Sequence, residues 1–398
     1  MAYDFDRVIE RRHTESSKWR KYAEDVIPLW VADMDFASPE PVIRALRERV
    51  EHGVFGYGYN QERSPLHDLV ADRLQKLYGW RVEPDAVVLI PGVIPGFNVA
   101  CRALTSPGDG VLLKLPLYPP LLRVPGHVGI TMDAAGLARS ASGRYEVDFE
   151  ALEREVTPRT RVFLLCNPHN PVGRVWRREE LQRMAEFCLS RGIAIVADEV
   201  HGDLVFSGHR HVPIASLDPE IAQRTITLMA PSKTWNLAGL KFGLAVIPNA
   251  TLRERFAAAR VDMVYGVNVL GYTAALAAYR DGGPWLDELL RYLEANRDFL
   301  VDFVKRHLAG VAVAPPEATY LAWLDCRAAA IPGADPFTFF LEKARVALND
   351  GRSFGRGGQG FVRLNFGCPR SILAEGLDRM RAALAVLRRP PTTSRAPA

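Results

Sequence analysis

Residues 225 to 243 read TITLMAPSKTWNLAGLKFG, and they place one lysine, Lys233, between Ser232 and Thr234. Ile226, Thr227, Leu228 and Met229 read as a short buried strand, and Pro231 with the small polar residues after it turns the chain into a loop at the strand's carboxyl edge. Burial disfavours the ammonium form of a lysine there, which suits an amine that must attack a carbonyl. The alternative is a lysine whose stem lies on the surface while its head reaches water. Partners decide between the two.

Three stretches supply partners. Residues 192 to 200, GIAIVADEV, form an apolar run without alternation, which predicts a central parallel strand ending on Asp198 and Glu199. Ligands of open α/β sheets sit beyond the carboxyl ends of the strands, so Asp198 and Lys233 face one crevice. A buried carboxylate needs a cation, and a protonated pyridine nitrogen is one. Residues 167 to 173, NPHNPVG, follow a third strand, RVFLLC at 161 to 166, and their prolines bar helix and fix a turn that presents Asn170 as a donor. Residues 87 to 104, VVLIPGVIPGFNVACRAL, read as strand, glycine turn and helix, so the N–H groups of Gly92, Val93 and Ile94 form an anion seat with the Ser232 hydroxyl as a second donor. An amine, an acid, an asparagine and an anion seat describe a pyridoxal phosphate site. Arg363 is a further candidate. On the predicted strand FVRLNF it points opposite to Val362 and Leu364, and a substrate carboxylate would satisfy it.

NPHNPVG, ADEVHGDLVF, APSKTWNLAGL and RLNFGCPRS, in that order, resemble the fold-type I aminotransferase superfamily, and more narrowly its cystathionine and cysteine-S-conjugate β-lyase branch of the MalY/PatB type. The resemblance runs from about Phe5 to about Leu387. It implies an α/β fold with a mostly parallel central sheet flanked by helices, and a smaller α+β domain built from both ends of the chain. The implied division is 1–45 with 285–387 as the small domain, 46–284 as the large cofactor-binding domain, and 388–398 as a disordered tail. It implies that Tyr118 stacks on the pyridine ring, the other reading of Tyr118 being a packing residue with a wet tip. It implies that WVADMDF, residues 30 to 36, brings the backbone near Ala32 to the substrate; the other reading is a buried turn with capping aspartates. Tyr57, in FGYGYN, is chosen over Tyr59 as a residue that crosses to the cofactor phosphate of a second subunit, which makes the enzyme a homodimer. His201 replaces the tyrosine of most aminotransferases, as in the lyase branch, and Lys241 stands where many relatives have an arginine.

Composition excludes other classes. A formal charge of +4 over 398 residues, with basic pairs dispersed, makes no nucleic-acid surface. Five widely spaced cysteines in apolar surroundings argue against a disulfide framework and for a reducing compartment, the cytoplasm. The opening MAYDFDRVIERRHTE is charged without an apolar core, so no secretory signal is expected, and no run reaches membrane-spanning length. His201, His209 and His211 lack the convergent set a zinc site requires, so no metal is expected. GRGGQG, residues 355 to 360, matches GxGxxG but precedes a strand, which excludes a dinucleotide site.

The expected reaction is β-elimination of a sulfur leaving group from an L-amino acid, giving thiol, pyruvate and ammonia. An aminotransferase shares every step through proton removal, and a decarboxylating or specialised lyase on a cysteine conjugate is a further alternative. A binding protein that kept the fold without the reaction is the competing class, against which the retention of Lys233, Asp198, Asn170 and Arg363 argues.

Overall fold

The computed structural model describes residues 3–58 and 63–387. Tyr59 and the expected tail at 388–398 lie outside the described residues.

Seven strands form the central sheet: β1 (Val87–Ile90), β2 (Gly110–Leu115), β3 (Thr131–Gly136), β4 (Thr160–Cys166), β5 (Ala194–Asp198), β6 (Thr225–Met229) and β7 (Gly243–Val246). Their spatial order is β1-β7-β6-β5-β4-β2-β3. Only β7 runs antiparallel to its neighbours. β5 is the middle strand, and its continuous burial follows from helices covering both faces. Helix α1 (Val93–Leu104) lies on one face, where Phe97, Val99, Ala100 and Cys101 join the sheet's Ile226 and Leu228 in one apolar cluster. Gly96 permits that approach, because a Cβ there would meet Ile90 Cδ1 at 2.5 Å. Helix α2 (Arg178–Leu189) covers the other face with Leu181, Met184, Ala185 and Cys188, the periodicity its sequence carries.

A second sheet, of four strands, is built from β8 (Ala312–Val313), β9 (Leu321–Asp325), β10 (Asn349–Asp350) and β11 (Phe361–Asn365) in the order β8-β9-β11-β10. The N-terminal segment joins it: Ile27 and Pro28 pair in parallel with Val346 and Ala347. Asn365 Nδ2 donates to Val31 O at 2.6 Å and Asp33 O at 2.9 Å, which ties WVADMDF to the end of β11. Asp35 is buried there, accepting from Lys18 Nζ at 2.6 Å, Arg11 Nη1 at 2.6 Å and the Trp19 indole at 2.8 Å. The segment is therefore a strap fastened by ion pairs.

Several expectations change in detail. VLLKLPLY, residues 111 to 118, reads as a strand ending on Tyr118, but β2 stops at Leu115, because Pro116 has no N–H to continue the ladder, and Tyr118 precedes the short helix Pro119–Leu122. Ser38, Pro39 and Glu40 predict a helix capped by the serine, but the helix Glu40–Glu51 has Pro39 at its N-cap, and the Ser38 hydroxyl donates to Asn236 O instead. The sequence of residues 126 to 150 suggests peripheral hairpin alone, whereas the segment includes the edge strand β3, parallel to β2, besides the small hairpin of residues 138–139 and 145–146. The spacing of Leu286, Leu289, Leu290, Leu293, Phe299 and Phe303 predicts one apolar face on the long helix Gly283–His307, but the buried positions past Leu293 are Asn296, Leu300 and Val304, with Phe299 and Phe303 only partly covered. Residue 45 falls inside one continuous helix, 40–51, and residue 285 inside another, 283–307.

Candidate active site

At the carboxyl ends of β4, β5 and β6 lies a cavity of about 270 Å³, lined among others by Ala32, Tyr118, Asn170, Asp198, Ser232 and Lys233. Gly92, Val93, Ile94, His201 and Lys241 complete the expected set around it. Eleven of the thirteen residues singled out from sequence thus meet in one place. Arg363 is not part of the wall; it reaches the cavity through Asn170, whose Oδ1 accepts from its Nη1 at 3.0 Å. Tyr57 is fully exposed and lies outside the cavity of its own chain.

Lys233 sits in the single helical turn Pro231–Thr234 that follows β6. The turn is anchored from below by the Thr234 hydroxyl, which donates to Asp203 at 3.1 Å, while Asp203 is paired with Arg73 at 2.7 Å. The amine faces inward and donates to Ala32 O at 2.6 Å, so the surface reading of this lysine fails. Burial pushes its pKa down to about 8 against the pull of Asp33 and Asp198. Asp198 ends β5, and among the described residues its carboxyl accepts only the Val200 N–H, at 3.3 Å. Burial pushes its carboxyl up to about 7. A carboxylate left that poorly held is one that a cation entering the cavity would ionise.

The NPHNPVG turn forms as its prolines dictate, with cis bonds at Asn167–Pro168 and Asn170–Pro171. His169 Nε2 lies 2.8 Å from Pro116 O, pinning the turn against the end of β2. Asn170, which lines the cavity, is fixed through Arg363. Arg363 itself is 3% exposed; it also donates to Trp30 O at 3.2 Å and to Asn349 Oδ1, the residue opposite it on β10. Burial lowers its pKa to about 10, and its Nε has no partner within the described chain. A buried guanidinium with its Nε left open in this way fits an incoming carboxylate. His201 is buried too, its Nδ1 unpartnered, and burial with the neighbouring Lys233 and Arg363 lowers its pKa to about 3, so it is neutral.

At the opposite end, Gly92 takes φ +124°, which a side chain rarely adopts, and starts α1 there. The first-turn N–H groups of α1 have no intrahelical acceptor, so the helix presents them, with its positive dipole end, to the cavity. Ser232 and Lys241 stand on the same wall. Lys241 adopts the left-handed conformation, φ +52°, and is exposed at the rim.

His201, His209 and His211 diverge: His211 Nε2 is 3.0 Å from Glu199, and His209 lies 4.0 Å from Glu317. Sequence reasoning missed Tyr320, whose buried hydroxyl donates to Ala32 O at 3.2 Å, and Asn349. The signal for Asn349 was a polar residue in the strand that pairs with Arg363; Tyr320 carried none.

Residues 24–380 match the model of the aminotransferase class I and II family. The chain belongs to that family. Cystathionine beta-lyase PatB of Bacillus subtilis (strain 168) is 41% identical over 389 residues, covering 96% of this chain and all of PatB. The crystal structure of OvoB superposes with a TM-score of 0.91 at 44% identity, covering 96% of this chain and 99% of that one. Cystalysin from Treponema denticola, whose crystal structure contains pyridoxal 5'-phosphate, superposes at 0.92 with 33% identity, over 98% of this chain and 100% of that one. The fold-type I architecture of the family accounts for both sheets. Its cofactor, pyridoxal 5'-phosphate, fits the observed cavity: free amides at one end, a poorly held buried acid at the other, and an amine of lowered pKa between.

Proposed function

We propose that the chain is a pyridoxal 5'-phosphate-dependent carbon–sulfur β-lyase that cleaves L-cystathionine or another cysteine S-conjugate to thiol, pyruvate and ammonia. The observation that carries the reading is that the amine of Lys233 and the carboxyl of Asp198 open on one cavity beneath a helix N-terminus. The names of its relatives, PatB foremost, support sulfur elimination over amino transfer.

When bound, the cofactor supplies an electron sink for the charge left at the substrate's Cα. Gly92, Val93, Ile94, Ser232 and Lys241 would hold its phosphate, Lys241 as a point charge at the rim. Tyr118 would cover the ring, and Asn170 and His201 would border it. Asp198 would keep a proton on the ring nitrogen, a cation that would lower the carboxyl's raised pKa. Arg363 binds the α-carboxylate, with Trp30 and Asn349 fixing the guanidinium. The backbone at Ala32 forms the substrate-side wall. Lys233 takes the Cα proton as general base; a pKa lowered to about 8 leaves a useful neutral fraction near neutral pH.

Tyr57 completes the site of a second copy in a homodimer. Its full exposure supports this, as does the run of exposed apolar residues Val50, Val54 and Phe55 beside it. The small domain comprises 1–45 and 285–387 and the large one 46–284, with the helices 40–51 and 283–307 crossing between them. All five cysteines are free and buried, which supports a reducing compartment, the cytoplasm. Among the described residues no helix is long and apolar enough to cross a membrane.

The test offers the loaded protein cystathionine and other cysteine S-conjugates and measures pyruvate, ammonia and thiol, beside keto-acid-dependent amino transfer. Equimolar pyruvate and thiol without a keto acid is the expected result. A strict need for a keto-acid acceptor would overturn the assignment.

A further inference from the structure

Tyr320 lies just before β9 with its ring wholly buried. Its hydroxyl donates to Ala32 O at 3.2 Å, and the same oxygen accepts from Lys233 Nζ at 2.6 Å. Both donors therefore share one carbonyl. That carbonyl is held in place: the oxygens of Val31 and Asp33 on either side accept from Asn365, and the strap continues into the ion-paired Asp35. The phenol is held as well, edge-on to His201 with centroids 6.0 Å apart, while its backbone oxygen accepts the Phe366 N–H at 2.9 Å.

We propose that Tyr320 is a positioning residue for Lys233: acting through the Ala32 carbonyl, it fixes the place where the free amine rests and weakens that oxygen's hold on the ammonium form. The inference rests on the reading of Lys233 as the base. A carbonyl oxygen has two lone pairs, and two hydrogens of partial positive charge on one oxygen repel each other. Each donor is thus held less tightly than it would be alone, and the cost is larger for the charged amine than for the neutral one. Other groups act on Lys233 through space: Asp33 and Asp198 favour its charge, while Arg363 and Lys241 oppose it, and His201 beside it is neutral. None of these accepts a hydrogen bond from it. Among the described residues the amine's hydrogen-bond acceptor is Ala32 O, so a change at that oxygen acts on it most directly.

The experiment compares the full chain with its Tyr320→Phe variant. Each is freed of cofactor, pulsed with formaldehyde and cyanoborohydride at a series of pH values, and digested to read methylation of the Lys233 peptide by mass. Loss of the hydroxyl is expected to raise the midpoint of the labelling curve by about half a unit to one unit. In the loaded enzyme the acidic limb of kcat moves up by the same amount while KM stays within about twofold. Replacement of tyrosine by 3-fluorotyrosine, a stronger donor of nearly the same shape, moves the midpoint down and guards against a misfolded phenylalanine variant. A midpoint that stays or falls in Tyr320→Phe, or a change confined to thermal stability, overturns the inference. The labelling curve is read without substrate. A shifted midpoint in a chain that proves not to be a lyase would therefore sink the reaction and leave the role of Tyr320 standing.

Discussion

Two lysines with inward-facing amines differ in what surrounds them. Lys114, in β2, is 2% exposed, with its amine 3.9 Å from the centroid of the Trp176 ring and 3.0 Å from Met184 Sδ. Burial lowers its pKa to about 7, further than that of Lys233. A depressed amine pKa thus follows from burial alone and marks no site by itself. Lys233 has in addition a cavity, a buried acid with one weak partner, an arginine with an open nitrogen and a helix N-terminus. Lys114 has a tight apolar wall and the face of an indole, which returns part of the lost hydration of its charge. One amine is placed to meet a ligand. The other is packed.

The sharpest way to break this contrast is to remove each amine. Lys233→Ala is expected to lower kcat/KM by about 10⁴-fold or more, measured by pyruvate release, because it deletes the base. Asp198→Asn comes next, with kcat lower by about 10²- to 10³-fold since the ring nitrogen loses its counter-charge. The same variant has a stability signature in the cofactor-free chain. The raised pKa of Asp198 means that the folded chain keeps a proton the unfolded chain releases, so wild-type stability falls as pH rises from about 4 to about 7. Denaturant unfolding should show Asp198→Asn gaining on wild type across that window. Arg363→Lys is expected to raise KM by about 10²-fold with a smaller change in kcat, as a point charge replaces the fork that binds the carboxylate.

Lys114→Met gives the smallest effect on catalysis, within about twofold. Its signature is thermodynamic. The lowered pKa of Lys114 means that the unfolded chain binds the extra proton between about pH 7 and its ordinary value, so wild-type stability rises with pH through that window. The methionine variant should be more stable than wild type by about 2 kcal/mol at pH 7, the gap closing toward pH 10. A loss of activity in Lys114→Met matching that of Lys233→Ala would erase the distinction.

The sequence carried the parts of the site that rest on unbroken patterns. Ile226 to Met229 and Ile193 to Ala197 are apolar without alternation because helices cover both faces, and their ends fixed Lys233 and Asp198 at one edge. The prolines of NPHNPVG and the glycine at 92 announced their turns by their own chemistry. What the pattern could not carry is contact between distant segments. Tyr320 touches the amine's partner across 288 positions of sequence, and Asp35 collects Lys18, Arg11 and Trp19 through a fold that no local spacing encodes. Edge strand β3 was missed for another reason. Its outer residues, Thr131 and Met132, are exposed, so its pattern resembles a loop.

The most direct test of the account is where the cofactor attaches. Wild-type protein loaded with pyridoxal phosphate is reduced with borohydride, digested and mapped by mass. The account predicts that one peptide, the one containing Lys233, carries the reduced cofactor. Label on Lys114 or Lys241, or none on any lysine, would contradict it.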